Sequence, residues 1–97
     1  MKIPHEAIPQ HKKGFMLQEM DGEMLLYHTA EVTTTYLNPS AVVIWQLCDG
    51  QLTVQAIIDE LAQRFPDAAD LSQDVVTTLQ DFLSRDLVEL TWLNSDE

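Results

Sequence analysis

Residues 37–50, Leu37-Asn38-Pro39-Ser40-Ala41-Val42-Val43-Ile44-Trp45-Gln46-Leu47-Cys48-Asp49-Gly50, limit what this chain can fold into more than any other stretch. They read as a helix that is apolar on nearly every side, with a start signal before it and a stop signal after it. Asn38 can accept a hydrogen bond from a free backbone N–H at the helix start. Pro39 suits the first helical position, where a missing N–H costs nothing. Gly50 can take the left-handed conformation that ends a helix. Beyond the cap, Ser40 and Gln46 are the only polar side chains of the helix. A helix without a polar face must be surrounded by protein. The remainder of the 97 residues therefore has to wrap around this segment.

The flanking sequence supplies elements to do so. Residues 1–13 hold two prolines, two histidines and three lysines without apolar periodicity, and are expected to form a flexible N-terminal arm. Phe15 to His28 reads as a hairpin about Asp21-Gly22, a pair suited to the tight turn whose twist matches a hairpin. Val32-Thr33-Thr34-Thr35-Tyr36-Leu37 is rich in β-branched residues and reads as a third strand, at the edge of a meander.

After the buried helix, Thr53 caps a second helix with Val54, Ile57, Ile58, Leu61 and Phe65 along one face, and Pro66 stops it. Asp70 and Gln73 resemble a capping box at the start of a third helix, expected from about Ser72 to Arg85. Its apolar stripe is Val75, Val76, Leu79, Phe82 and Leu83. Leu87 to Leu93 forms a last strand or an extended strap, and residues 94–97 are expected to fray. The expected fold class is α+β: a three-stranded antiparallel sheet followed by three helices, within a single domain spanning residues 14–93.

Charge narrows the function. Sixteen acids oppose five bases, for a net charge of −11, and three of those bases are Lys2, Lys12 and Lys13. A nucleic-acid binder needs basic groups to displace counterions from phosphates, and an anionic membrane surface makes the same demand. Neither partner suits this chain. Basic proteins or peptides would be steered toward it. No run of about 20 apolar residues is present to span a membrane, and no secretion signal opens the chain. With a single cysteine, the expected location is the cytoplasm.

No catalytic grouping, phosphate loop or metal-ligand set stands out, so neither an enzyme nor a cofactor is expected. His5, His11 and His28 are too scattered for a metal. Cys48 reads as a structural thiol. Asp70-Leu71-Ser72 superficially resembles an acyl carrier attachment site, but helix capping accounts for it. A DNA-reading third helix would need basic side chains, and this one offers Asp74, Gln80 and Asp81 with Arg85 at its end.

The third strand is the remaining candidate. An edge strand carries unpaired backbone donors and acceptors, and proteins usually blunt such edges with Lys, Pro or a bulge. Residues 32–37 contain neither Lys nor Pro. An extended peptide can add to such an edge through its main chain, with the stripe of the third helix lining its side-chain pockets. The alternative is that the Leu87–Leu93 segment covers the edge and the stripe is ordinary core.

Leu37-Asn38-Pro39-Ser40-Ala41, Ile44-Trp45, Leu47-Cys48-Asp49-Gly50 and Thr53 resemble the signature of PqqD-like proteins, the small peptide-recognition domains of modified-peptide biosynthesis. The resemblance spans about Phe15 to Val88. It implies a winged-helix-like arrangement. It also implies a non-catalytic adaptor that binds the leader segment of a precursor peptide and presents it to a modifying enzyme, often a radical SAM protein. Carried onto this sequence, the leader would add to Val32, Thr33, Thr34, Thr35 and Tyr36 and pack against Val75, Val76, Leu79, Phe82 and Leu83. The branch serving pyrroloquinoline quinone synthesis tends to have basic residues in the hairpin region, whereas residues 15–35 contain neither Arg nor Lys. A relative serving another peptide fits that departure. The rival expectation is a structural or regulatory module that forms a homodimer through the same edge.

Overall fold

The computed structural model describes residues 3–92. Its elements run β1 (Ala7–His11), β2 (Phe15–Met20), β3 (Glu23–His28), β4 (Thr33–Leu37), α1 (Pro39–Leu47), α2 (Val54–Arg64), α3 (Leu71–Ser84) and β5 (Val88–Trp92). The molecule is α+β, with antiparallel sheets and three helices, as the sequence pattern predicts.

Local signals account for most of these elements. Asn38 Oδ1 accepts the Ala41 N–H at 2.8 Å, and Pro39 opens α1. Thr53 Oγ1 accepts the Ala56 N–H at 3.1 Å and caps α2. Asp21 and Gly22 both adopt positive φ, 55° and 83°, as a two-residue hairpin turn of matching twist requires. Met20 accordingly pairs with Glu23, and the register runs on to Phe15 opposite His28. α3 starts differently from expectation. Asp70 sits in the left-handed region at φ 58° and its side chain makes no capping bond. Only its carbonyl joins the helix, accepting from Asp74 N–H at 3.0 Å.

α1 lies against the common core, with Ala41, Ile44 and Trp45 buried and Val42, Val43 and Leu47 half-buried. Trp45 organises its surroundings. His11 stacks on the indole at a ring separation of 4.0 Å, and Phe15 and Phe82 meet it edge-on at 5.7 and 5.8 Å. His11 Nε2–H also donates to the Trp45 carbonyl. The rest of the core comes from Leu26 and Leu37 of the sheet, from the inner faces of α2 and α3, from Cys48, and from Ile3, Ala7, Leu87 and Val88 toward the two ends of the chain.

The largest correction concerns the N-terminal arm. The three-stranded sheet has the order β2-β3-β4, but a second sheet exists, in which β1 pairs antiparallel with β5. Residues 7–11 are therefore a strand and not a loose arm. Ala7, Ile8 and Pro9 are all buried, because β1 is covered on both faces. A strand buried on both faces shows no polar alternation for sequence reading to detect. On its other side, β1 is tied to the turn after α1: His11 N–H donates to Cys48 O and Gly50 N–H to Pro9 O, each at 3.0 Å. Gly50 has φ +80°, and a Cβ there would stand 3.0 Å from the Gln10 side chain. The frayed tail expected over residues 94–97, together with Met1, Lys2 and Leu93, lies outside the described residues.

Candidate functional site

The fate of the last strand decides whether the candidate edge is free. Val88–Trp92 pairs with Ala7–His11, register Val88 opposite His11 and Trp92 opposite Ala7. It does not pair with β4. Among the described residues, β4 has β3 on one side and no strand on the other. Its outer row of N–H and C=O groups is therefore available to another chain.

Thr33, Thr35 and Leu37 pair with His28, Leu26 and Met24, and Leu26 and Leu37 belong to the core. These β4 residues thus face inward, while Thr34 and Tyr36 face outward. Tyr36 is 71% exposed. The strand starts one residue later than expected. Val32 belongs to the preceding turn, at φ 54°, 70% exposed, with its N–H donating to His28 O at 2.9 Å.

Two clefts flank β4. One, of about 560 Å³, lies at the Leu37 end and is lined by Met24, Tyr36, Leu37, Pro39 and Val42 among others. The second, of about 430 Å³, lies at the Thr33 end between Phe15, His28, Thr33 and Thr35 on the sheet side and Arg85, Asp86 and Leu87 after α3, with Lys12 and Lys13 at its margin. β2 is the other free edge of the sheet, but none of its residues beyond Phe15 lines either cleft.

The helix side of the expected groove separates into two groups. Val75, Leu79 and Phe82 are no more than 1% exposed and are core residues. They belong to the common core and present no surface to a guest. Val76 and Leu83 are half-buried. Val76 lines a third cleft, of about 720 Å³, with Ile3, Pro4 and His5. It therefore adjoins the N-terminal segment. What borders β4 at the Thr33 end is the turn after α3, not the middle of the helix.

Lys12, Lys13, Phe15, His28, Arg85 and Asp86 line the cleft at the Thr33 end, which sequence reasoning did not foresee. Their one visible signal is the Lys12-Lys13 pair in an acidic chain. Lys12 Nζ lies 3.0 Å from Asp86 Oδ1, and this hydrogen bond and charge raise the lysine pKa above its ordinary value. Arg85 Nε lies 3.2 Å from Asp81 Oδ1. Burial, with Asp49 adding to it, pushes the Cys48 thiol up to about 12. It is therefore a protonated, unreactive group at neutral pH. Among the described residues, no three His, Cys, Asp or Glu side chains gather as a metal site would require, and no helix is long and apolar enough to cross a membrane.

Residues 23–88, about two thirds of the chain, match the family model described as Coenzyme PQQ synthesis protein D (PqqD). The chain belongs to the PqqD family. The matched span contains the Leu37–Thr53 signature and the whole of β3, β4 and the three helices. A PqqA binding protein of Kluyvera intermedia is 33% identical over 94 residues, covering 94% of each chain. A PqqA binding protein of Pseudomonas entomophila (strain L48) is 36% identical over 78 residues, 77% of this chain and 82% of the relative. One from Rahnella aquatilis is 39% identical over 76 residues, 75% and 77% of the two chains. Among solved structures, TbiB1 in complex with the TbiA(beta) leader peptide shares the fold, with a TM-score of 0.67 at 18% identity, over 90% of this chain and 99% of that one.

Proposed function

We propose that this PqqD-family chain is a non-catalytic adaptor of winged-helix type. It captures the leader segment of a precursor peptide as an added strand on β4 and presents it to a modifying enzyme such as a radical SAM protein. The observation that carries the reading is the open edge of β4, left free because β5 pairs with β1. Two further facts support it: relatives over most of the chain are named for binding PqqA, and TbiB1 was solved with a leader peptide.

In this reading Thr33, Thr34, Thr35 and Tyr36 supply the backbone ladder, and Val32 shapes the turn that leads into it. On α3, Leu83 offers half-buried apolar surface to the guest, whereas Val76 lines the separate cleft beside Ile3, Pro4 and His5 and would be reached only by a guest that runs on past β4. Val75, Leu79 and Phe82 hold the scaffold from within the common core. A five-residue strand spans about 17 Å, room for about five guest residues. Each Leu-sized anchor buried by the guest contributes roughly 1.5–3 kcal/mol before ordering costs, so affinity near micromolar is expected.

The test is titration with synthetic PqqA of Kluyvera intermedia, using Thr33→Pro and Thr34→Pro variants. Successive N–H groups of a strand point to opposite sides. One proline therefore removes a bond to β3 and lowers stability, and the other removes an outward donor. The outward variant should keep its melting temperature and lose about ten-fold in affinity, since a hydrogen bond is worth about 1 kcal/mol net and the proline ring also blocks close approach. Two folded variants with unchanged affinity would falsify strand addition at β4. The same edge would also accept a second copy of the chain. Light scattering distinguishes this, because a dimer built on β4 would dissociate as peptide is added.

A further inference from the structure

The cleft at the Thr33 end of β4 gathers most of the bases of the molecule. The chain has five bases against sixteen acids, yet three of the five, Lys12, Lys13 and Arg85, line this one cleft. The acids that line it are Glu31 and Asp86, and Asp81 and Glu89 act on Arg85 and Lys12 from beside it, so the bases of a strongly acidic protein are gathered here among acids of their own. Lys12 and Arg85 are partly neutralised by Asp86 and Asp81. Lys13 makes no ion pair among the described residues, whereas each of the other described bases does. In so acidic a chain, leaving a lysine unpaired beside a free strand edge makes it available to a charge from outside.

We propose that this cleft receives a carboxylate side chain of the guest strand, so that the leader is recognised by one acidic residue at a fixed position. The inference rests on β4 being the guest's partner. Thr33 and Thr35 point their side chains inward on the cleft side. On an added strand, the residue directly opposite either of them projects toward the same face. An Asp or Glu there meets Lys13 and Lys12. The existing Asp86 partner is 83% exposed and readily moves aside.

At the other end of β4, Leu37 borders the apolar cleft with Met24 and Val42. A guest with an acid opposite Thr33 therefore carries an apolar residue four positions away on the same face. This is a sequence rule for the leader, with its polarity along β4 left to experiment.

The test uses synthetic PqqA of Kluyvera intermedia and a set of its variants in which each carboxylate side chain is changed singly to the amide. On the wild-type protein at low salt, one amide substitution should weaken binding about five-fold, and the others should leave it within two-fold. With the Lys13→Gln protein that same substitution should have little further effect, which shows that the two groups meet. Arg64→Gln removes the same charge from α2, outside the cleft, and should leave affinity unchanged. If every amide peptide binds the wild-type protein equally, the carboxylate subsite is refuted while strand addition stands. If the unaltered peptide shows no binding at all, the adaptor reading falls and the subsite with it.

Discussion

Val32 is the residue whose backbone works against its side chain. A β-branched residue at φ 54° is sterically costly, by roughly 1–2 kcal/mol. The side chain is 70% exposed and gains little in return. Val32→Asn keeps a residue that tolerates the left-handed region and should stabilise the fold by about 1 kcal/mol, raising the melting temperature by roughly 4–8 °C. A calorimetric scan of the variant tests this, and an unchanged or lower melting temperature argues that the side chain is held by a contact in the turn. The sequence alone placed Val32 inside the strand, because β-branching favours strands and gives no sign of a φ imposed by the closing turn.

Cys48 was legible, since a thiol beside the stop of an apolar helix with no basic neighbour in sequence behaves as a small hydrophobe. Its ionisation turns that packing into a pH dependence. The unfolded thiol loses its proton near 9.0, while the folded one keeps it up to about 12. The folded state binds the proton more tightly, so its contribution to stability is intact below pH 9 and is lost as pH rises toward 12, at about 1.4 kcal/mol per pH unit. Cys48→Ala lacks this loss. The variant should be less stable than wild type by about 1 kcal/mol at pH 7, and the difference should shrink and reverse by about pH 11. Denaturant titrations of both proteins at pH 7, 9 and 10.5 give the comparison. Parallel curves would mean that water reaches the thiol.

At the scale of elements, legibility followed sequence distance. The caps at Asn38 and Thr53 and the Asp21-Gly22 turn each act within four residues, and all three were readable from the chain. β1 was not, because its partner β5 lies about eighty residues away and its burial comes from elements that a local window never sees. The edge residues Thr33–Tyr36 were likewise readable from composition, whereas the cleft beside them depends on β1 delivering Lys12 and Lys13 to the end of α3. The two views of residues 1–13 predict different behaviour. Ala7 is completely buried. Ala7→Asp places a carboxylate in the core, which should cost more than about 3 kcal/mol and abolish the cooperative melt. In a loose arm the same change would be silent, so a melt within a degree or two of wild type would dissolve the β1–β5 sheet.

At the scale of the whole molecule, charge acts with opposite sign at long and short range. The net charge of −11 is spread over a body whose radius of gyration is 13.6 Å. At 0.01 M salt the screening length is about 30 Å, so an approaching peptide meets the field of the entire protein before it meets any cleft. At 0.3 M only adjacent groups matter. Long-range attraction governs association rates, while contacts made after docking govern dissociation. Two lysines appended to PqqA of Kluyvera intermedia, outside the segment that pairs with β4, should therefore raise the association rate several-fold at 0.01 M salt. The gain should vanish at 0.3 M, with the dissociation rate unchanged at both. Two appended glutamates should do the reverse. Stopped-flow measurement over that salt range separates the two scales. If appended lysines change dissociation instead, acidic side chains contact the guest directly, and capture depends on local pairing well beyond the edge of β4.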